Sequence, residues 1–315
     1  MTGSDSDIDV LVSEVGPRDG LQSAKHAMRT EDKNRWISAL AAAGLREIEV
    51  GSFVSPKILP QMADIGAVVA HALTIPRLRV AVLVPNLKYA RLALEAGAHM
   101  ITIPVSVSAA HLMRNVRMTH EQMLAEVKAI VALRNERYPS VKVETGLSTA
   151  FGCTIQGVVP ESDTVRLALA MAEAGVDSVN LADTVGYANP VQVRRLFTAV
   201  RAAIGERTGG AHLHNTRGQG LANVVAALEV GVRTFDSSQG GIGGCPYAPG
   251  ASGNIVTEDL VFLLESMGLR TGIDFDALFA ARRLLAASLP DEPIYGFVSD
   301  AGLPKGFAHT TPHPA

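Results

Sequence analysis

The chain has 315 residues, 47% of them hydrophobic and 19% charged, enough to bury one large core as a single domain. A formal net charge of -3, a pI near 6.3 and no block of like charges leave no electrostatic footprint for nucleic acid or an anionic membrane. No apolar run reaches the roughly 18 residues that a membrane span needs, and the two cysteines, Cys153 and Cys245, sit outside any metal or redox spacing, which suits a reducing cytoplasm.

Residues 1–9, MTGSDSDID, are polar and acidic and lack the basic and apolar regions of a secretory signal, so they read as a disordered tail. A main domain is expected over residues 10–290. Val10–Val15 is the first strand candidate, and Thr30 precedes a helical pattern with acidic residues in its first turn. A unit then recurs: AAAGLREIEV (41–50), LEAGAHMITI (94–103), AEAGVDSVNL (172–181) and LEVGVRTFDS (228–237). Each is a helix end, a glycine suited to the left-handed conformation, and a run of strand-forming residues. Val80–Pro85, Val141–Leu147 and Ala211–His214 complete a set of eight strands, and Thr119 with Gln122 forms a capping box before a helix. Eight βα units over about 250 residues specify an α/β fold, the (β/α)8 or TIM barrel. The competing doubly wound sheet would carry G-x-G-x-x-G after its first strand, where this chain has GPRDGLQ. Beyond residue 250 come two extra C-terminal helices, Asn254–Met267 and Asp274–Ala287. A tail over 291–315, rich in Gly and Pro, reads as a poorly ordered terminus.

In such a barrel the working residues sit at the carboxyl ends of the strands. There the sequence offers Arg18 and Asp19 after strand one, Glu49 and Ser52 on strand two, and Asn180 and Asp183 on strand six. On strand seven His212 and His214 share one face, because alternate strand residues point the same way. Two converging imidazoles, with Asp19 and the amide of Asn254, make a set of two nitrogens and two oxygens suited to Mg2+ or Mn2+, zinc being the other option. Arg18 would then stabilise a developing oxyanion, with Glu49 and Asp183 acting directly or as the hydrogen-bonded surround of the site. The run SSQGGIGGCPYAPGASGN, Ser237–Asn254, holds six glycines around Cys245. Too glycine-rich to pack as a core element, it reads as a flap over the barrel mouth that delivers the thiol as a proton donor. Cys153 reads as a small buried hydrophobe. No lysine stands at the end of a strand, which disfavours Schiff-base chemistry.

The segments EVGPRDGLQ, SFVSPKILPQM, VPNLK, the His-x-His strand and GGIGGCPYAPGASGNIVTEDL together resemble the 3-hydroxy-3-methylglutaryl-CoA lyase family, from about Val10 to Thr271. The first segment also looks like the wider group of metal-dependent barrel lyases and condensing enzymes; the cysteine motif selects the lyases. The resemblance implies a divalent metal held by Asp19, His212, His214 and Asn254, Arg18 stabilising an enolate and Cys245 donating a proton. The implied reaction is retro-Claisen cleavage of a 3-hydroxy acyl-CoA to acetyl-CoA and a keto acid. Departures fall around the substrate: Asn215 and Arg217 replace the Asp and Tyr that follow the family's His-x-His, Glu144 and Gly146 stand where Arg and Tyr are usual, and Asn180 replaces a Ser. Ser52, Asn180, Arg217 and Gly244 are the expected substrate contacts, and Arg217 is expected to select the acyl group by pairing with a carboxylate. A homodimer or higher homo-oligomer in the cytoplasm is the expected state. Claisen condensation at the same site and a non-catalytic metabolite-binding barrel are the alternative readings.

Overall fold

A computed structural model describes residues 7–243 and 253–310. The first half runs β1 (Leu11–Glu14), α1 (Thr30–Ala42), β2 (Glu47–Ser52), α2 (Ile65–Ala72), β3 (Arg79–Leu83), α3 (Leu87–Glu95), β4 (Met100–Ser106), α4 (Ala109–Asn115) and α5 (His120–Arg137). The second continues β5 (Lys142–Ser148), α6 (Glu161–Glu173), β6 (Ser178–Asp183), α7 (Pro190–Ile204), β7 (Thr208–Leu213), α8 (Gly220–Glu229) and β8 (Thr234–Ser237), then α9 (Thr257–Ser266), α10 (Phe275–Ser288) and α11 (Phe297–Ala301). The strands are all parallel and pair in chain order, and β1 closes on β8 with Leu11 opposite Thr234 and Glu14 opposite Ser237. The expected (β/α)8 barrel with C-terminal helices is the fold. Among the described residues no helix is long and apolar enough to cross a membrane.

Strand alternation separates two environments. On β5, Val143, Thr145 and Leu147 are buried under the helices, whereas Glu144, Gly146 and Ser148 face the barrel interior and line a cavity. The outward set from all strands, including Val12, Ile48, Val82, Ile101, Leu181 and Phe235, forms the apolar core against the helices. Apart from Leu83 and Met100 the inward set is mostly polar or small, and it surrounds a cavity in place of the packed layers of branched side chains common in such barrels.

The four junction glycines, Gly44, Gly97, Gly175 and Gly231, have φ between 87° and 107°. The capping box at Thr119 and Gln122 is formed in both directions. Thr30 does not cap α1; it is the first helical residue, and its hydroxyl donates to Asp64 at 2.8 Å. β7 starts earlier than the expected Ala211 because its first residues, Thr208, Gly209 and Gly210, carry little strand signal. The helix expected from Asn254 starts at Thr257, because Asn254 first bridges to His214.

The described residues nearest each chain end are tied to the rest of the chain. Asp9 pairs with Arg270 at 2.8 Å and Asp7 with Arg46 at 2.5 Å. At the other end the Asp259 carboxylate accepts the first N–H groups of α11, from Phe297 and Val298, while Phe307 and His309 pack against Phe275. Ion pairs and ring contacts with distant residues give no local signal, so composition alone does not reveal these ties.

Gly44 is the junction with least room: a Cβ there would press on the carbonyl of Gly272. Gly44→Ala is expected to lower stability by about 2–4 kcal/mol, seen as a lower denaturant midpoint with unchanged slope.

Candidate active site

The site begins at the end of β1. Glu14 is fully buried, and its carboxyl accepts N–H bonds from Gly16 (2.8 Å) and Gln239 (2.9 Å) and the hydroxyl of Thr257 (2.7 Å). Burial pushes this carboxyl up to about 8 against the pull of those donors. The chain then makes a wide π-type turn, Gly16–Gly20, in which the N–H groups of Arg18, Asp19 and Gly20 all point at the carbonyl of Val15. Such turns recur at functional sites. This one aims Arg18 and Asp19 into the barrel mouth, where the Arg18 guanidinium donates to Glu49 and to Asp19, both at 2.5 Å. Burial works against the charge on Arg18, but the two carboxylates outweigh it and hold the guanidinium protonated. For Asp19, burial is likewise overcome by Arg18 and the neighbouring imidazoles, so its carboxyl stays well below the usual range.

Asp19 uses its two oxygens differently. Oδ1 accepts from Arg18 and from the Gln22 amide at 2.7 Å. Oδ2 accepts from the Asn254 amide at 2.7 Å and lies 3.8 Å from Nε2 of both His212 and His214. The two Nε2 atoms face each other 3.1 Å apart. His212 is oriented by Asp236, whose carboxylate lies 3.1 Å from Nδ1 and opposite it in the β7–β8 register. Burial disfavours charge on His212, yet the bond to Asp236 and the field of Asp19 raise it above its ordinary value.

Three donor atoms, from Asp19, His212 and His214, therefore converge within 4.8 Å. Asn254 lies beside them, and its Oδ1 is buried with no partner among the described residues. A carboxylate, two imidazoles and an unsatisfied amide oxygen fit a divalent cation, and the carboxylate behind His212 is the usual support for a metal-binding histidine. The expected donor set is thus assembled in space, with His212 on β7 and His214 just past its end.

These groups open on a cavity of about 1130 Å³ at the carboxyl end of the barrel. Arg18, Glu49, Ser52 and Asn180 line it with Asp19, His212 and His214. Burial, opposed by Arg18, pushes the Glu49 carboxyl up. Asn180 bridges two strands, donating to Glu144 at 3.1 Å and accepting the N–H of Gly210 at 2.8 Å.

Two expected residues do not line the cavity. Asp183 accepts the N–H groups of Tyr187 (2.8 Å) and Ala188 (3.1 Å), which shapes the loop after β6. Arg217 donates to the carbonyls of Val185 (2.9 Å) and Gly186 (3.1 Å) and lies 4.6 Å over the Tyr187 ring. It borders a separate pocket with Phe151 and Val158, so the expectation that it selects the acyl group is not met. The turn of chain after His214 carries it away, which its position in sequence could not reveal. Cys245 and Gly244 lie outside the described residues. Cys153 is buried, as expected, and accepts N–H contacts from Ile155 and Gln156.

Residues missed in the sequence are Glu14, Glu47 and Asp236. For Asp236 a signal existed: on β8 it stands across the ladder from His212.

A closed parallel barrel with a carboxylate–imidazole cluster at the carboxyl ends of its strands defines the class, a (β/α)8 barrel of the enzyme type. Within that class the chain belongs to the HMGL-like family, whose model matches residues 9–285. It is 39% identical over 274 residues to a hydroxymethylglutaryl-CoA lyase of Bacillus subtilis, covering 87% of this chain and 91% of that protein. It is also 39% identical over 280 residues to a Pseudomonas aeruginosa 3-hydroxy-3-isohexenylglutaryl-CoA/hydroxymethylglutaryl-CoA lyase, covering 89% and 93%. Among solved structures, an HMG-CoA lyase from Acinetobacter baumannii in complex with coenzyme A and 3-methylmalate superposes with a TM-score of 0.89 at 39% identity, covering all of both chains.

Removing the support behind His212 tests the cation reading. Asp236→Asn is expected to weaken Mn2+ binding by about 10–100-fold, measured by titration calorimetry on the folded apo-protein.

Proposed function

We propose that the protein cleaves 3-hydroxy-3-methylglutaryl-CoA, or a closely related 3-hydroxy acyl-CoA, by a divalent-metal-dependent retro-Claisen reaction. The observation that carries the reading is the donor cluster of Asp19, His212 and His214, with the unsatisfied Asn254 oxygen, placed beside a charged Arg18 in one cavity. Family membership and lyases at 39% identity support the same chemistry, and a neighbour holding coenzyme A supports a thioester substrate.

The reaction needs a proton taken from the 3-hydroxyl, cleavage of the bond between C2 and C3, and a proton returned to C2. The products are acetyl-CoA and a 3-oxo acid. Asp19, His212, His214 and Asn254 would hold the cation, which as a Lewis acid makes the hydroxyl more acidic. Arg18 is the group suited to the thioester side. Its charge is fixed by Glu49 and Asp19, and a positioned guanidinium stabilises negative charge as it develops on the enolate oxygen. Glu49 accepts at Arg18 Nε and so sets the plane of the guanidinium. Cys245 is the proposed donor to C2. Gly243 and Gly253, the last described residues on either side of the segment that contains it, both border the cavity.

Acetyl-CoA release from 3-hydroxy-3-methylglutaryl-CoA, measured before and after chelation and with Mg2+ or Mn2+ restored, tests the proposal. Activity is expected to vanish on chelation and return with the ion; undiminished turnover without metal would remove the metal-dependent mechanism. Cys245→Ala is expected to lower kcat by about 10²–10⁴-fold with KM nearly unchanged, because a proton donor acts in the transition state.

A further inference from the structure

The barrel interior below the donor cluster is open. Ala182 stands opposite His212 in the β6–β7 register, and Asn180, two residues earlier, is about 6.6 Å further down the strand. At that depth Gly146 pairs with Asn180, and a Cβ at Gly146 would meet nothing nearer than Thr102 Cγ2 at 4.0 Å. Ala81, Gly146 and Ala182 all line the cavity, so three inward positions are small where a packed barrel would be filled.

Glu144 lines the lower part of the chamber. Its carboxyl accepts from the Ser178 hydroxyl at 2.6 Å and from the Asn180 amide at 3.1 Å, and the other end of that amide is taken up by Gly210. Each carboxyl oxygen keeps a second lone pair. Among the described residues Glu144 has no basic partner, and the carboxyls of Glu47 and Asp236 share the chamber with it.

We propose that this chamber is the subsite for the substituent at C3 of the acyl group, and that it takes a chain longer than methyl ending in a hydroxyl that donates to Glu144. The inference rests on the lyase reading above and names its substrate class. A carboxylate-tipped chain is disfavoured by the three acidic groups around the chamber. A purely alkyl tip would strip water from Glu144 without replacing its hydrogen bond, the more costly omission in a buried site. The same shortage of positive charge accounts for the Glu144 carboxyl, which burial first and the Glu47 charge second push up to about 7.

The test compares three thioesters: 3-hydroxy-3-methyl-, 3-hydroxy-3-butyl- and 3-hydroxy-3-(3-hydroxypropyl)glutaryl-CoA, the last two matched in size. With the metal-loaded enzyme, kcat/KM from acetyl-CoA release should favour hydroxypropyl over butyl by about ten-fold or more. Glu144→Leu should abolish that preference. If that variant does not fold, Gly146→Val fills the chamber without touching the acid, and should lower the hydroxypropyl-to-methyl ratio by about ten-fold. Binding of the corresponding 3-oxo acids by calorimetry supplies a readout apart from turnover, with 6-hydroxy-3-oxohexanoate expected to bind more tightly than 3-oxoheptanoate. Cleavage of all three thioesters at similar kcat/KM would overturn the subsite and leave the lyase reading standing. No acetyl-CoA from any of them, with the difference in 3-oxo acid binding intact, would overturn the lyase reading and keep the chamber's preference.

Discussion

One buried carboxyl holds the catalytic end of the barrel in register. Glu14 receives hydrogen bonds from the turn after β1, from the loop after β8 and from the first residue of α9. Those three segments carry, respectively, Arg18 and Asp19, the approach to the glycine-rich run, and the residues just after Asn254. An acid shut away from water is unfavourable unless its lone pairs are met, and here the partners come from chain positions more than 200 residues apart. Trp36, fully buried on α1, extends the same tie by donating to Gln239 at 2.7 Å. The site therefore owes its shape to the seam where β1 meets β8.

The barrel was legible in the sequence because its signals are local. A glycine at the end of each of four helices, followed by strand-forming residues, records a backbone requirement that no distant contact has to supply. The donor cluster was legible because strand geometry fixes direction: His212 and His214 had to share a face. Arg217 shows where that logic stops. Past the end of β7 the chain turns, and only the carbonyls of Val185 and Gly186 decide where the guanidinium goes. Asp183 is placed by the same kind of contact, since each of its oxygens accepts a backbone N–H, four and five residues ahead, that sets the loop after β6. The pairing of Asp9 with Arg270 likewise depends on closure of the whole chain.

The interior carries more acid than base. Glu47, Glu49, Glu144 and Asp236 line the cavity; Arg18 lies among them, and Arg79 reaches Glu47 at 2.8 Å. Burial raises Glu47, Glu49 and Glu144 from their ordinary values. The negative potential at the cluster raises the proton affinity of His212, and the same potential would favour a small cation at these donors. The acids near the mouth thus hold Arg18 and would favour the proposed cation, while the deeper ones line the chamber proposed for an acyl chain.

The donor atoms come from positions 19, 212, 214 and 254, so no partial chain can assemble them. During synthesis the first donor waits for nearly the whole barrel before the others emerge. Affinity for the proposed cation would then be a property only of the finished, closed ring, with the ion acting as a clasp across its seam. Bound to the native state alone, it would stabilise the fold by mass action. Under the proposed metal-dependent mechanism, scarcity of the ion would then lower the stability of the fold as well as its activity.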